Sequence, residues 1–304
     1  MAQAASLEQM GFFDPHMHFW NLGDAGSPHS DTRIGTKVPP LHSEDMYAAN
    51  WGEKTQCIHV EALPVKSGRD EVAWVKSQVT TETRLAACVA YADLRDPNIG
   101  QQLDELRATD QVAGIRQILN YSATEDFRTW PNVQGDYTVL DSWRRGLAML
   151  GTDLSFDLQC NPLQMPSFAE TVSPQQTVII DHMGPPQIQS AAEEETWLRS
   201  MAALARLPNT HVKVSGMTHL FDHTRPWWQA SHADHSHGLD LVHQVIRLFG
   251  AHRCMFASNA PVDPTFGLPT TESIALFHEI AQSYDEDSRT SLFQKTAKRA
   301  YKIE

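Results

Sequence analysis

Eight short apolar segments alternate with amphipathic stretches along the chain, and this alternation constrains the fold most strongly. The stretches between them repeat apolar residues at helical spacing, for example over 68–83, 97–109, 141–151, 193–207 and 238–250. Strands that alternate with helices predict a parallel sheet covered by helices, and eight strands fit a closed barrel better than an open sheet. We therefore predict a distorted (β/α)8 TIM barrel, α/β in class, as a single domain over 1–304. The predicted strands are 12–19, 56–63, 85–94, 112–119, 154–160, 177–183, 211–217 and 254–261.

The connections have unequal lengths, and the long ones follow strands. Residues 20–42, 120–136 and 218–237 form long stretches after predicted strands, whereas 207–209 and 250–253 lead back into strands within a few residues. In a barrel of this kind the loops after the strands build the active-site face. We expect the three long loops to lie over that face. No G-x-G-x-x-G sequence follows a predicted strand, so the sequence indicates neither a dinucleotide fold nor an organic cofactor.

The charge of the chain limits its partners. A net charge of −13 with only 24 Lys and Arg residues repels nucleic acid. A small anionic substrate is still compatible with it, because a local arginine can outweigh a distant field. The four cysteines all fall in predicted strands without zinc-ribbon spacing, which favours reduced core thiols in a cytoplasmic protein. We see no signal peptide and no apolar stretch long enough for a bilayer, and the oligomeric state stays open.

The first predicted strand carries three polar side chains on one face. In the sequence FFDPHMHFW, Asp14, His16 and His18 alternate with apolar residues, and a strand points such residues to the same side. His16 and His18 stand near the strand end, whereas Asp14 lies deeper and is expected to orient a histidine. The sequence therefore predicts a pocket, a metal or a substrate at this end of the barrel.

Polar residues also end several other predicted strands. A core role would favour apolar side chains at those positions, so such residues usually indicate catalysis. Coming from different strands, they are expected to converge at one end of the barrel. They are Glu61, Arg116, Asp181 with His182, Ser258 and Asn259 at the end of the last strand, and Asp263 just past it.

Five segments together resemble a known family. FFDPHMHFW, LDSWRRGLAMLGTDLSFDLQC, TVIIDHMG, VKVSGM and RCMFASNAPVD are similar to the amidohydrolase-2 branch of the amidohydrolase superfamily. The nearest resemblance is to its lactonase-like members, of the L-fuconolactonase, 2-pyrone-4,6-dicarboxylate lactonase and sulfomuconolactone hydrolase type. The resemblance covers residues 12 to about 300 and implies a TIM-barrel hydrolase of small cyclic esters.

The resemblance also implies roles for particular residues. The family's paired histidines and its later strand-end histidine correspond to His16, His18 and His182, which would surround a substrate carbonyl or one divalent metal. The family's last-strand carboxylate, which activates water, corresponds to Asn259. An amide cannot take a proton from water, so another group has to serve as the base. Glu61 is the candidate, with an ion pair at the barrel mouth as the alternative interpretation.

Two modes of action stay open at this point. Three imidazoles and Glu61 would suit one divalent metal, Zn or Mn, which lowers the pKa of bound water to about 7. Without a metal, the imidazoles would donate hydrogen bonds to the lactone carbonyl and stabilise the oxyanion. We expect Asp181 to point away from His182 and Asp263 to cap the loop after the last strand.

Four further residues are candidates for substrate contacts. Arg116 can pair with a substrate carboxylate, with an interior salt bridge as the alternative. Tyr121 can hydrogen-bond the lactone, and Arg225 and Trp227 can form the pocket wall. Most of the histidines between 219 and 237 are interpreted as solvated loop residues, because no predicted helix frames an i,i+4 ligand pair within that stretch.

The sequence thus predicts a hydrolase acting on a carboxylic ester bond. Water would attack the ring carbonyl of a small sugar or dicarboxylate lactone. Two alternatives are a metal-dependent, non-oxidative decarboxylase of an aromatic or muconate-like acid, and a binding barrel without turnover. Release of CO2 would distinguish decarboxylation from hydrolysis.

Overall fold

A computed structural model describes residues 7–30, 38–62, 65, 67–125, 128–221, 226–229 and 232–303. Eight parallel strands form one sheet in chain order, and each strand pairs with the next. The predicted eight-stranded parallel TIM barrel is confirmed. The strands are β1 (Phe13–Met17), β2 (Gln56–Val60), β3 (Leu85–Tyr91), β4 (Val112–Ile118), β5 (Ser155–Gln159), β6 (Val178–Ile180), β7 (Thr210–Val214) and β8 (Cys254–Phe256).

Helices follow the strands and cover the outside of the sheet. The amphipathic segments of the sequence all lie in this layer, where their apolar faces meet the strands. The helices are α1 (Glu44–Trp51), α2 (Gly68–Gln78), α3 (Ile99–Arg107), α4 (Asp141–Ala148), α5 (Met165–Thr171), α6 (Ala191–Ala205), α7 (His232–Phe249), α8 (Val262–Thr265), α9 (Thr270–Ala281), α10 (Glu286–Thr290) and α11 (Thr296–Ala300), with a π-helical turn at Ser291–Lys295. No helix within these described ranges is long and apolar enough to cross a membrane.

The seam between β1 and β8 is made beyond the regular ladder. Met17 and Ala260 form a parallel bridge, and the amide of Asn259 donates to the carbonyl of His16 at 2.9 Å. Asp14 stabilises the same seam, because its Oδ1 accepts the amide of Ser258 at 3.0 Å. The seam fixes the end of β1, which carries the two histidines, against the segment that follows β8.

The long stretch after β1 contains a second, small sheet. Trp20–Asn21 pairs antiparallel with Leu41–His42, and residues 31–37 between them lie outside the described part. His42 Nδ1 contacts the carbonyl of His18 at 2.5 Å. This ribbon therefore lies beside the carboxyl end of β1 and helps to position the backbone there.

Candidate active site

Two imidazoles meet at the carboxyl end of β1. His16 Nε2 and His18 Nε2 are 3.2 Å apart, as their predicted common face requires. His18 Nδ1 donates to the carbonyl of Val60 at 2.8 Å, because a carbonyl can only accept. The neutral ring of His18 therefore carries its free electron pair on Nε2, toward His16.

His182 joins them from a turn after β6. Residues 181–183 leave the strand, and His182 has a φ of 54°, a left-handed conformation that is uncommon outside glycine. Gly216 makes room for it, since a Cβ on Gly216 would lie 2.5 Å from the His182 Cβ. The ring centroids of His16 and His182 are 4.6 Å apart, and His182 Nδ1 contacts Ser215 Oγ at 3.0 Å.

Burial keeps these rings neutral. Loss of solvent lowers the pKa of His16 and of His18 well below the usual value, helped by the nearby charges of Lys213 and Arg116 respectively. Burial also lowers the pKa of His182 to about 4. Neutral imidazoles can accept or donate a hydrogen bond or bind a metal, so the cluster keeps all three options at neutral pH.

Asp181 belongs to this cluster, contrary to the expectation that it would point away from His182. That expectation assumed strand alternation, but β6 ends at Ile180 and the turn redirects the side chain. Asp181 Oδ1 lies 3.2 Å from His16 Nδ1. Within the described ranges, His16, Asp181 and His182 form the group whose ligand atoms all lie within 4.8 Å of one another and that can hold a metal.

Lys213 lies directly beneath this group with its ammonium fully buried. Its Nζ is 2.9 Å from Asp181 Oδ1, 3.0 Å from His16 Nδ1 and 2.5 Å from Asp157 Oδ2. Tyr301 also donates to Asp157 Oδ2 at 2.5 Å. The barrel interior below the histidines is therefore a paired ionic network.

Glu61 and Arg116 form an ion pair, which was the alternative interpretation for each of them. Arg116 Nε donates to Glu61 Oε1 at 2.9 Å, and its Nη1 donates to Asp181 Oδ2 at 3.1 Å. Burial raises the pKa of Glu61 to about 7 despite the arginine. Glu61 is not within the group that can hold a metal, and the guanidinium of Arg116 is already engaged by two carboxylates.

Asn259 is the first member of a chain of hydrogen bonds that was not predicted from the sequence. Its Nδ2 donates to Asp263 Oδ1 at 3.0 Å, and Thr218 Oγ1 also donates to that oxygen at 3.1 Å. Thr218 Oγ1 contacts His219 Nδ1 at 2.8 Å. Since an ionised Asp263 makes Thr218 the donor, Nδ1 of His219 must then donate to Thr218. Asp263, expected to cap a loop, thus orients Asn259 and, through Thr218, His219.

The histidines face a cavity of about 290 Å³, the first cavity. His18, His182, His219 and Asn259 line it, and Arg116 and Gln159 reach it from β4 and β5. The remaining lining is partly apolar: Trp20, Val38, Ala62, Ile118, Asn120, Arg128, Thr129, Trp130, Pro185, Gln187, Val262 and Phe266.

Two of the predicted substrate contacts do not lie on this lining, and a third cannot be placed. Tyr121 does not line the cavity, although its neighbour Asn120 does. The backbone amide of Tyr121 donates to Gln164 Oε1 at 3.0 Å. Trp227 is fully buried behind the cavity, where its indole NH donates to the carbonyl of Met217 at 2.9 Å. Arg225 lies outside the described residues.

The order of the segments and the position of the histidines suggest a family, and a comparison decides it. The model of the amidohydrolase family matches residues 13–303. The chain belongs to the amidohydrolase family. An L-fucono-1,5-lactonase from Burkholderia multivorans is 27% identical to this amidohydrolase over 95% of each chain.

Solved structures of the family agree with this fold. An amidohydrolase from Burkholderia multivorans with bound zinc has a TM-score of 0.77 and 26% identity, covering 96% of this chain and 99% of its own. A putative 2-pyrone-4,6-dicarboxylic acid hydrolase from Pseudomonas putida has a TM-score of 0.70 at 19% identity, covering 96% and 98%. At that identity the second likeness concerns the fold alone. Together with the lactonase relative, membership supports a hydrolase that acts on lactone ester bonds.

Proposed function

We propose that this amidohydrolase opens a small hydroxylated lactone by attack of water on the ring carbonyl. The observation that carries the proposal is the cluster of neutral imidazoles of His16, His18 and His182, the last two of which line a cavity, in a chain related to L-fucono-1,5-lactonases. The product would be a hydroxy acid, which at neutral pH ionises to a hydroxy carboxylate and releases one proton.

His182 would polarise the carbonyl and stabilise the oxyanion that forms on it. His182 offers Nε2 to the cavity because its Nδ1 is held by Ser215. A fixed donor at a developing negative charge is worth ~3 kcal/mol in comparable hydrolases. His16 and His18 support this ring from below: Lys213 donates to His16, His16 donates to His18 Nε2, and His18 donates to the carbonyl of Val60.

His219 would take the proton from water, in the role that the amide of Asn259 cannot fill. Its Nδ1 is anchored through Thr218 to Asp263, so proton uptake falls to Nε2 of a ring that lines the cavity. Asn259 would hold the same water, because Nδ2 is bound to Asp263 and Oδ1 is left as an acceptor. When the tetrahedral intermediate collapses, the bond from the carbonyl carbon to the ring oxygen breaks and that oxygen receives the proton.

A divalent metal fits the imidazole donors. Ligands of a tetrahedral metal at about 2.0–2.1 Å lie a little over 3 Å apart, close to the 3.2 Å between His16 Nε2 and His18 Nε2. His16 and His182 would hold Zn or Mn with Asp181, which would have to leave Lys213 and Arg116, or with His18, whose Nε2 lies 3.2 Å from that of His16. When bound, such a metal acts as a Lewis acid toward the carbonyl and acidifies water.

The charges around the first cavity favour a neutral lactone over a dicarboxylate. Arg116 is bound by Glu61 and Asp181, and Arg128 is bound by Glu193 at 2.7 Å and by Glu125 at 3.1 Å. A substrate carboxylate would have to displace one of these partners. Hydroxyl groups can instead use Asn120, whose Oδ1 has no hydrogen-bond partner in the described part of the chain, and the side-chain NH2 of Gln159, since both residues line the cavity.

A pH-indicator assay on a panel of sugar and dicarboxylate lactones tests the proposal, with protein of measured metal content and after addition of Zn or Mn. We expect turnover of at least one sugar lactone and its loss in His182→Ala. Release of CO2 from an aromatic acid in place of lactone opening would instead establish the decarboxylase alternative. No turnover of any substrate under either metal condition would favour a binding barrel.

A further inference from the structure

A second cavity of about 280 Å³ adjoins the first and has no role in the reaction proposed above. Both cavities are lined by Ile118 and Trp130, so these two side chains form a shared wall. Arg116, on the first cavity, donates to Glu61, which lines the second. Each volume is near the lower end of the ~300–1,000 Å³ range of small-molecule sites, so each cavity accommodates one ring-sized group.

The second cavity is lined by a carboxylate oxygen of Glu61 that can accept a further hydrogen bond. Glu61 is 3% exposed, and Arg116 Nε binds its Oε1 at 2.9 Å. Its Oε2 accepts no hydrogen bond from any side chain or amide in the described part of the chain. Because Oε2 is accessible from the cavity, a hydroxyl group of a ligand there can donate a hydrogen bond to it.

The walls of the second cavity carry aromatic rings and a hydroxyl group that makes no hydrogen bond within the described residues. Tyr91, Trp130 and Tyr137 line the second cavity, and the Tyr91 hydroxyl makes no hydrogen bond to the described residues. Asn132 lies exposed at the rim, where its side-chain amide can donate and accept. Flat rings surrounded by alternating donors and acceptors match a sugar ring, which has apolar faces and hydroxyl groups at its edge.

The charges of the second cavity oppose an ionic ligand. Arg95 donates to both oxygens of Asp93, at 2.9 and 2.7 Å, and its guanidinium lies 3.9 Å from the ring centroid of Tyr137. Glu61 is balanced by Arg116 in the same way. Because each charge is already paired, an anion or a cation would find no unpaired opposite charge in this cavity. A neutral polyol does not need one.

We propose that the second cavity binds a neutral glycosyl group attached to the lactone, so that the substrate is a disaccharide lactone whose non-reacting sugar contacts Glu61 and Tyr91. The reacting ring would occupy the first cavity, and the glycosidic link would lie beside Ile118 and Trp130, which line both cavities. This inference rests on the proposed lactone hydrolysis for the identity of the reacting ring, but the sugar site itself does not depend on turnover.

Kinetics on matched substrates test the inference. We would compare the monosaccharide lactone that the enzyme hydrolyses best with its 4-O-glycosyl derivative, in wild type and in Tyr91→Phe. We expect kcat/KM to be at least tenfold higher for the disaccharide, and Tyr91→Phe to remove most of that preference while the monosaccharide rate is unchanged. Tyr284→Phe, which loses a hydroxyl bound to His243 elsewhere in the barrel, is the matched control.

Two kinetic outcomes would overturn the inference. One is equal kcat/KM for the two substrates in wild type, and the other is an equal loss for both substrates in Tyr91→Phe. If no lactone is hydrolysed, the proposed function fails but the sugar site is still testable. Titration with cellobiose, lactose and maltose, followed by tryptophan fluorescence, should then show saturable binding that Tyr91→Phe weakens at least fivefold. Absence of saturable binding of all three would refute the site.

Discussion

Asn259 Nδ2 donates a 3.0 Å hydrogen bond to Asp263 Oδ1, and both side chains are buried at the mouth of the barrel. A carboxylate at position 259 could not make this contact, since an ionised carboxylate only accepts hydrogen bonds. Thr218 Oγ1 donates to the same oxygen. The amide therefore belongs to a local arrangement in which the negative charge has moved from residue 259 to residue 263.

Asn259→Asp should destabilise the protein in a pH-dependent way. At pH 8 two carboxylates would be in contact, and we expect a loss of about 1–3 kcal/mol in the free energy of unfolding. At pH 5 one of them can keep a proton and donate it, so the loss should be smaller. Urea unfolding at both pH values measures this. The double variant Asn259→Asp with Asp263→Asn restores one hydrogen-bond donor to the pair and should recover most of the stability. If Asn259→Asp alone lost the same stability at pH 5 and at pH 8, the explanation would be wrong.

His219→Gln should lower kcat by ~10²- to 10⁴-fold, the usual contribution of a general base, with little change in KM. Thr218→Val removes the hydroxyl that links Asp263 to the His219 ring. It should lower kcat less than His219→Gln does, because the imidazole is still present. His235→Gln removes an imidazole that is paired with Glu279 on the surface, and should leave kcat unchanged. Steady-state kinetics on the best lactone of the panel measures all three variants. If His219→Gln kept the wild-type kcat, another residue would have to be the base.

The pH profile should report the ionisation of Asp263. Burial raises the pKa of Asp263 to about 7, although its hydrogen bonds oppose the shift. Only the ionised form makes Thr218 a donor and orients Nδ1–H of His219, so kcat/KM should rise with pH through about 7. In Asp263→Asn the rate should be lower and this rise should be absent. A profile of Asp263→Asn with the wild-type rise would assign the ionisation to another group.

Lys213→Met should be strongly destabilising. The variant leaves Asp157 and Asp181 buried without their shared ammonium, and breaking a buried ion pair costs ~3–5 kcal/mol. Lys295→Met removes an exposed partner of Asp287 and should cost less than about 1 kcal/mol. Chemical unfolding of the two variants makes the comparison. Adding Asp157→Asn to Lys213→Met should recover part of the loss, and no recovery would mean that packing rather than charge is responsible.

Glu61→Gln should change how stability depends on pH. Because the pKa of Glu61 is raised from 4.5 to about 7 in the folded protein, its contribution is full below pH 4.5 and is lost as pH rises through 7. Relative to wild type, Glu61→Gln should therefore gain stability between pH 4.5 and 7, by on the order of 3 kcal/mol. Unfolding of both proteins across this range measures the difference. A constant difference at all pH values would mean that Glu61 is ionised normally.

The sequence predicted the barrel well because strand alternation and strand ends are local properties. All eight predicted strands are present, and His16, His18, His182, Arg116 and Asn259 meet at one end as their positions indicated. The errors arise where the chain leaves regular structure. Asp181 follows the end of β6, so alternation gave it the wrong direction.

Other features depend on contacts between distant residues and could not be read from local pattern. Lys213 lies on a strand that reads as apolar, and only its approach to Asp157 and Asp181 explains an ammonium there. His219 was grouped with loop histidines, although it begins the stretch and follows Thr218 directly. The sequence signals for its role were that Thr218 directly precedes His219 and that Asp263 stands four residues after Asn259.

The seam between β1 and β8 has a consequence for how the enzyme is made. His16 and His18 leave the ribosome early, but the backbone partners that fix them, Ser258, Asn259 and Ala260, are translated more than 240 residues later. During most of translation Asp14 therefore lacks the donor that Ser258 provides. Catalytic competence can arise only when the last strand closes the ring, so a nascent chain stalled before residue 254 should be inactive however much of its helical layer has formed.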